Sequence, residues 1–205
     1  MKRIVFSLLL LASFSVVAAA QVPSYDDLVS KAKKGDSSVD YKAMRFAFAD
    51  MTSLEKRTVD PKLHAQMMKL LNEKKFKEVL GITDEIHKTH FVDMNSHIMA
   101  SLAAQGLKDA KRSKLHESIY VGLVNSILNG GDGNTPKTAY TVITLAEELV
   151  VLDAIEMKRG PQVVENVDGQ VFHLITATEK SSGQPVKIYF NIEKARSAMM
   201  PVPQT

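Results

Sequence analysis

Apolar residues recur every three or four positions between residues 61 and 127, a spacing that places them on one face of a helix. The links between successive apolar stripes are short, which favours antiparallel neighbours. The sequence therefore predicts four consecutive helices packed side by side. Their apolar stripes are Leu63, Met67, Leu70 and Leu71; Phe76, Val79, Leu80 and Ile86; Met94, Ile98 and Leu102; and Leu115, Ile119, Leu123 and Ile127.

Start and stop signals predict two shorter helices ahead of this region. Ser24 and Asp40 are suitable N-cap residues, and Gly35 is a typical stop after the first helix. Asp60 followed by Pro61 marks the start of the next helix, because proline is well tolerated at the first helical position.

Two segments suggest that the helices repeat. Residues 71–80 resemble the turn between the two helices of a tetratricopeptide repeat, and residues 103–110 form a looser copy. A stable array of such repeats needs about three of them. Because these two segments fall short of three repeats, the expected architecture of residues 21–131 is an antiparallel, tetratricopeptide-like helical bundle and not a full repeat array.

The pattern changes after the turn-rich joint at residues 130–136. Residues 138–143 read as a strand, and Thr144 with Glu147 predicts a capping box that begins a short helix. Its apolar positions are Leu145, Leu149 and Leu152. Two alternating segments, 170–179 and 186–192, flank a Ser-Ser-Gly turn and predict a β-hairpin.

The C-terminal part is too small to hold a large core by itself. We expect residues 132–205 to form a small antiparallel β-sheet with one helix, packed on the helical region as one unit. The predicted fold class is α+β.

The first twenty residues have the three parts of a secretory signal peptide. Lys2 and Arg3 precede an apolar run, and three alanines ending at Ala20 supply small residues at a cleavage point. The alternative is an uncleaved N-terminal anchor, although the run is short for a membrane span. We expect cleavage after Ala20 and export of the mature protein to the periplasm or the medium, with no later membrane span.

Charge and composition narrow the functional classes. Loss of Lys2 and Arg3 with the signal peptide lowers the net charge from +3 to +1, so nucleic acid is not an expected partner. The chain has no cysteine, which excludes a disulfide scaffold, a cysteine nucleophile and a thiolate metal site. No nucleophile elbow, phosphate-binding loop, zinc-protease motif or dinucleotide fingerprint is present. The sequence therefore predicts no catalytic residue and no cofactor.

Two groups of residues invite a metal hypothesis. His87 and His90 lie three apart, and His97 and His116 fall on the next two predicted helices, so these imidazoles could share a zinc ion. No metal-site signature surrounds them, which favours a surface or helix-packing role. The loop at 132–135 offers oxygen ligands, but Pro136 and Lys137 break the calcium-loop pattern. The sequence therefore predicts no metal site.

Several segments resemble a known family. Residues 39–45, the stretch 125–140, the pair Glu147-Glu148, Gln162 and the strand 186–192 are similar to a family of exported bacterial proteins known as domain of unknown function 4919. The resemblance covers nearly the whole mature chain and is most specific from Gly131 to Tyr140. It implies bacterial origin, export and a helix-then-sheet layout, and it carries no catalytic residue.

Two functions follow as hypotheses. The first is an exported, soluble, non-catalytic binding or scaffold module in the cell envelope, whose stacked helices recruit a protein or peptide partner on a concave surface. The alternative is an envelope hydrolase with a site at the junction of helices and sheet, which requires a base and a pocket around the reacting atoms. The candidate ligand-binding residues are His116, Asp132, Glu148, Tyr189 and Asn191.

Overall fold

The computed structural model describes residues 23–196. In this range the chain forms helices first and a small sheet afterwards, which confirms the α+β class. The helices are α1 (Tyr25–Lys33), α2 (Tyr41–Met51), α3 (Pro61–Asn72), α4 (Phe76–Thr89), α5 (Met94–Gly106), α6 (Ala110–Leu128) and α7 (Ala146–Ala154). The strands are β1 (Tyr140–Thr141), β2 (Met157–Lys158), β3 (Gln162–Val167), β4 (Gln170–Glu179) and β5 (Pro185–Asn191). The predicted signal peptide lies outside the described residues.

The helices begin where short polar side chains cap them. Ser24 and Asp27 form a reciprocal capping box at the start of α1. Asp40 accepts a hydrogen bond from a first-turn amide of α2, and Asp60 does the same for α3, followed by Pro61. These three predicted helix starts are confirmed.

The two helical hairpins, α3–α4 and α5–α6, turn in the same way. Lys74 and Lys108, which lie 34 positions apart, both adopt a positive φ, at 58° and 60°. The next residue in each turn donates its amide to a carbonyl five residues back, Lys75 to Leu70 and Asp109 to Ala104, each at 2.9 Å. This hydrogen bond satisfies one of the free carbonyl groups at each helix end. The turns of the two hairpins therefore share one backbone geometry.

The sheet is mixed, whereas the sequence predicts an antiparallel one. β4 pairs antiparallel with β5 on one side and with β2 and β3 on the other. β1 runs parallel to β5, with Tyr140 opposite Phe190. The chain leaves β1 through α7 and passes along three more strands before β5, so β1 and β5 meet as the ends of a crossover.

Two details of the predicted sheet are also wrong. The strand expected at 138–143 has only two residues, because Pro136–Thr138 forms a 3₁₀ turn that ends just before it. Strand β3 is an addition to the predicted elements, and it forms a hairpin with β4 through a turn at Asp168 and Gly169, both with positive φ. The predicted hairpin between β4 and β5 is confirmed.

The predicted capping box at Thr144 is wrong for a physical reason. The N-cap of α7 is Leu145, and it makes no side-chain cap. The carboxylate of Glu147 is buried, and it bonds to Arg45 and to the amide of Ile143. Glu147 therefore connects α7 to α2 instead of capping its own helix.

Two apolar cores hold these elements together. The smaller core lies among α3, α4 and α5. The larger core joins α1, α2 and α6 to α7 and the sheet, and it contains Ile119, Leu123 and Ile127 of α6 together with Ile188 and Phe190 of β5. The sheet and the helical region therefore share one core.

Candidate functional site

A groove of about 540 Å³ crosses the face formed by α3, α5 and α7. α5 lies between the other two helices and contacts both. The segment just before α3 and one residue of α6 complete the groove. Its lining residues are Arg57, Thr58, Val59, Pro61, His64, Met68, Asp93, Asn95, Ile98, Met99, Leu102, Tyr120, Thr144, Ala146, Leu149, Val150 and Asp153.

Large apolar side chains from all three helices are exposed in this groove. Met68 of α3 is 46% exposed, Leu102 of α5 is 42% exposed and Leu149 of α7 is 54% exposed. Ile98 lies half-buried between them on α5. A contiguous exposed apolar surface of this kind is typical of an interaction site.

Two of the apolar stripes predicted from the sequence lie on this surface. Met94 is buried, but Ile98 and Leu102, which follow it on the same face of α5, line the groove. On α7, Leu152 is buried, whereas Leu149 lines the groove. Spacing identifies the apolar side of a helix, but it does not show whether another helix covers that side.

His64 and Asp93 form a hydrogen-bonded pair in the groove wall. Asp93 caps α5 by accepting a hydrogen bond from the amide of Ser96 at 2.8 Å, and it also bonds to Nε2 of His64 on α3 at 3.1 Å. The hydrogen bond to Asp93 raises the pKa of His64, although burial opposes this. Burial also works to raise the pKa of Asp93, but hydrogen bonds from His64 and Ser96 outweigh it and lower that pKa.

We expect the His64–Asp93 pair to make stability depend on pH. A raised histidine pKa stabilises the folded state fully below the unfolded value of about 6.5, and this contribution is lost as the pH rises through the folded value. His64→Gln should therefore cost more stability at pH 6 than at pH 8, with a difference of up to about 1 kcal/mol for a partly exposed pair. Urea unfolding at both pH values measures it.

The control for this experiment is His90→Gln. The ring of His90 bonds to the backbone oxygen of Lys56 and to Thr89, with no carboxylate partner. An equal cost of His64→Gln at pH 6 and pH 8 would contradict the prediction.

A second notable cluster consists of three buried histidines, His87 of α4, His97 of α5 and His116 of α6. The rings of His87 and His97 stack with centroids 4.0 Å apart, and the ring of His116 lies 5.2 Å from that of His87. Burial lowers the pKa of all three, that of His87 to about 3, so the imidazoles are neutral near pH 7. His90 does not join them, because α4 ends at Thr89 and the ring of His90 contacts the 3₁₀ turn at Leu54–Lys56.

The five candidate residues from the sequence have separate partners. His116 belongs to the histidine cluster, and Glu148 bonds to His173 of β4. Asp132 accepts hydrogen bonds within its own loop, from Thr138 and the amide of Asn134. No hydrogen bond or ion pair within residues 23–196 joins two of the five.

Tyr189 and Asn191 lie on β5, two positions apart. The amide of Tyr189 donates to the carbonyl of Gly133, and its ring meets Phe172 edge-on. The side-chain amide of Asn191 donates to Gln170 at 3.1 Å. These contacts hold both residues within the sheet, where β5 lies between β1 and β4.

Glu148 pairs with His173, a contact between residues 25 positions apart that no sequence pattern predicts. Their Oε1 and Nδ1 atoms lie 2.5 Å apart, and the two residues are only 1% and 3% exposed. Neither residue lines the groove. The pair therefore connects α7 to β4 inside the fold and is not placed to meet a ligand.

Comparison with known proteins identifies a family but no function. No curated protein and no solved structure matches the chain. A family model described as Domain of unknown function (DUF4919) matches residues 24–201. This range contains all three helices of the groove, the histidine cluster and the whole sheet. Because the match spans most of the 205 residues, the chain belongs to this DUF4919 family.

Proposed function

We propose that this protein is a non-catalytic binding module that holds an apolar segment of a partner protein in the groove of α3, α5 and α7. The observation that carries the proposal is the exposure of Met68, Leu102 and Leu149, from three different helices, in one groove of about 540 Å³. Folded proteins do not usually leave such a surface uncovered unless something binds there.

The arrangement of the helices supports this proposal. In tetratricopeptide-like arrays, the first helix of each pair lines a concave binding surface. Here α3 and α5 are the first helices of the two similar hairpins, and α7 stands next to α5 as the first helix of a third pair would. We propose a tetratricopeptide-like mode of binding on this basis.

The lining of the groove indicates the chemistry of its partner. Asp93 pairs with His64, Asp153 pairs with Lys180 at 2.6 Å, and the guanidinium of Arg57 donates to backbone carbonyl oxygens, so each charged side chain that lines the groove already has a partner within the protein. The affinity must then come mainly from apolar side chains that fill the groove, as in other grooves that take one face of a peptide. The proposed occupant is a segment that presents several apolar side chains on one face.

We also propose export. The support is the signal-peptide pattern of residues 1–20, which lies outside the described residues. Within residues 23–196, no helix is long and apolar enough to cross a membrane. We therefore propose that the partner is an envelope or secreted protein of a bacterium, since the family resemblance implies a bacterial origin.

The envelope hydrolase is not favoured by any contact in the described part of the chain. A hydrolase needs a base within hydrogen-bond reach of the reacting atoms and a pocket around them. The buried Glu148–His173 pair lies away from the groove, and Asp132, Tyr189 and Asn191 bond to other partners.

Charged substitutions in the groove should strongly reduce the amount of partner that the protein captures. In residues 21–205 with a C-terminal tag, we expect Met68→Asp and Leu149→Asp to lower recovery from envelope extract at least tenfold. A carboxylate in an apolar contact costs more than the 1.4 kcal/mol that corresponds to a tenfold change in affinity. Quantitative mass spectrometry of the captured proteins measures the effect.

The matched control is Val121→Asp on α6. Val121 is 46% exposed, the same fraction as Met68, but it does not line the groove. This variant should capture as much partner as the wild type. Equal recovery by all four proteins, or no stoichiometric partner of the wild type, would rule out the groove as the binding surface.

A further inference from the structure

The histidine cluster has hydrogen bonds that fix where its protons lie. Nε2 of His97 is 2.7 Å from the carbonyl oxygen of Phe91, and a carbonyl only accepts hydrogen bonds. His97 therefore carries its proton on Nε2. Nε2 of His87 is 2.9 Å from Oγ of Ser96, whose own hydroxyl donates to the carbonyl of Asp93. Oγ of Ser96 must then accept, so His87 also carries its proton on Nε2.

These bonds leave Nδ1 of His87 and of His97 without a proton, so each has a lone pair that can accept a hydrogen bond or bind a ligand. Nδ1 of His116 lies only 3.0 Å from Nδ1 of His97. Two lone pairs at that distance would repel each other, so Nδ1 of His116 carries a proton and donates it to His97. One hydrogen bond between ring nitrogens thus joins His97 and His116, while the ring of His87 stacks on that of His97.

We propose that His87, His97 and His116 form a binding site for a divalent transition-metal ion, with zinc as the representative ion. One possible ligand atom from each ring can be chosen so that all three lie within 4.8 Å of one another. Two nitrogens bound to one zinc ion at 2.0–2.1 Å in tetrahedral geometry are about 3.3 Å apart. The His97–His116 separation is already close to this value, and the ring of His87 must turn out of its stack to complete the site.

Besides this turn of the His87 ring, binding requires the rearrangement of one proton. As the metal takes the Nδ1 lone pairs of His87 and His97, His116 moves its proton from Nδ1 to Nε2 and offers the third lone pair. The Nε2–H group of His97 keeps its bond to the carbonyl of Phe91. Such outer bonds orient histidine ligands in most metal sites. A water molecule would fill the fourth position.

The ligand set and its surroundings predict which ions bind and how tightly. Three imidazoles without a carboxylate select zinc, copper or nickel over magnesium and calcium. Arg112 and Lys33 lie close enough to disfavour positive charge on His87, and Arg112 is paired with Asp84 at 2.5 Å. We therefore expect a moderate zinc Kd, in the range of about 1–10 µM.

The first test is titration of residues 21–205, without a histidine tag, with zinc and with magnesium. Calorimetry should show one zinc ion per chain and no magnesium binding. Cobalt should give the strong visible absorption of a tetrahedral complex, and excess zinc should remove it. A zinc Kd weaker than about 1 mM, or an equal response to magnesium, would overturn the proposal.

Variants then locate the site. His116→Gln should weaken zinc binding at least tenfold, whereas His90→Gln, outside the cluster, should leave it unchanged. The reverse result, or equal loss in both variants, would assign the metal to other residues and overturn the proposal.

A measurement on the wild type avoids any folding defect of a variant. Nitrogen NMR of the imidazole rings should show the proton on Nε2 of His87 and His97 before zinc is added. The Nδ1 resonances of all three rings should then move to metal-bound positions. Rings that keep their initial spectra at saturating zinc would contradict the site.

Discussion

Replacing Arg45 by methionine is expected to lower the free energy of unfolding by about 3–5 kcal/mol. Arg45 is fully buried and Glu147 is only 6% exposed. The substitution removes the positive charge and leaves the carboxylate of Glu147 without its partner inside the protein. An uncompensated buried charge is among the most destabilising changes that a single substitution can make.

The geometry around Arg45 explains why the effect should be large. Its Nε and one terminal nitrogen donate to the two oxygens of Glu147 at 3.0 and 2.5 Å. The guanidinium also bonds to Ser126 of α6 and to the carbonyl of Thr141 in β1. One side chain of α2 therefore holds α6, β1 and α7 in place.

The double variant Arg45→Met/Glu147→Met separates the charge from the packing. It removes both charges together, so it should recover most of the stability that Arg45→Met loses. Lys88→Met is the surface control, because Lys88 and Glu85 form an exposed pair that contributes less than about 1 kcal/mol. Urea unfolding followed by circular dichroism measures all three. A cost below about 1 kcal/mol for Arg45→Met would contradict the prediction.

The parts of the fold that the sequence predicted depend on short-range interactions. Ser24 and Asp40 each accept a hydrogen bond from the amide three residues ahead, so the signal for each helix start lies within four consecutive residues. The hairpin of β4 and β5 is predicted by the alternation of apolar and polar residues in two neighbouring segments, which a short loop joins. In such cases the contacting residues lie close together in the sequence, so a local pattern predicts the contact.

The parts that the sequence did not predict depend on residues far apart in the chain. Arg45 and Glu147 are separated by 102 positions, and no local pattern relates them. The pairing of β1 with β5 brings Tyr140 next to Phe190 across most of the C-terminal region. Such contacts exist only once the helices and strands have packed.

The candidate site shows the same limit. His87 and His90 look like a pair at helical spacing, but the end of α4 at Thr89 turns the second ring away. The groove could not be predicted from the sequence, because α3 and α5 lie before residue 131 and α7 lies after it, in two regions with different patterns. The sequence places Leu149 on a short helix of the sheet region, whereas in the fold its side chain completes a surface formed with α3 and α5.

The second large effect is expected for Phe190→Ala, at about 3–5 kcal/mol. Phe190 is fully buried near the C-terminal end of β5, and its ring lies 5.8 Å from that of Tyr140. Truncation removes apolar contacts and leaves a cavity that the surrounding residues can fill only in part. Val163→Ala on β3 is the control, because Val163 is 54% exposed and should cost less than about 0.5 kcal/mol.

The change should weaken the whole protein and not the sheet alone. Phe190 shares one apolar core with Ile119, Leu123 and Ile127 of α6, so helices and sheet should unfold in one transition. In thermal melts of residues 21–205, the helical signal and the tyrosine signal should shift together to lower temperature. Two separate transitions, with only one moved by Phe190→Ala, would contradict this.

Expression of residues 21–131 alone tests the same dependence from the other side. This fragment keeps Arg45 but lacks Glu147, and it exposes the face of α6 that the sheet covers in the full protein. Both changes oppose folding, since one leaves a charge unpaired and the other returns apolar surface to water. We therefore expect a fragment with no sharp melting transition. A soluble fragment that melts as cooperatively as residues 21–205, at a similar temperature, would show that the helical region folds independently of the sheet.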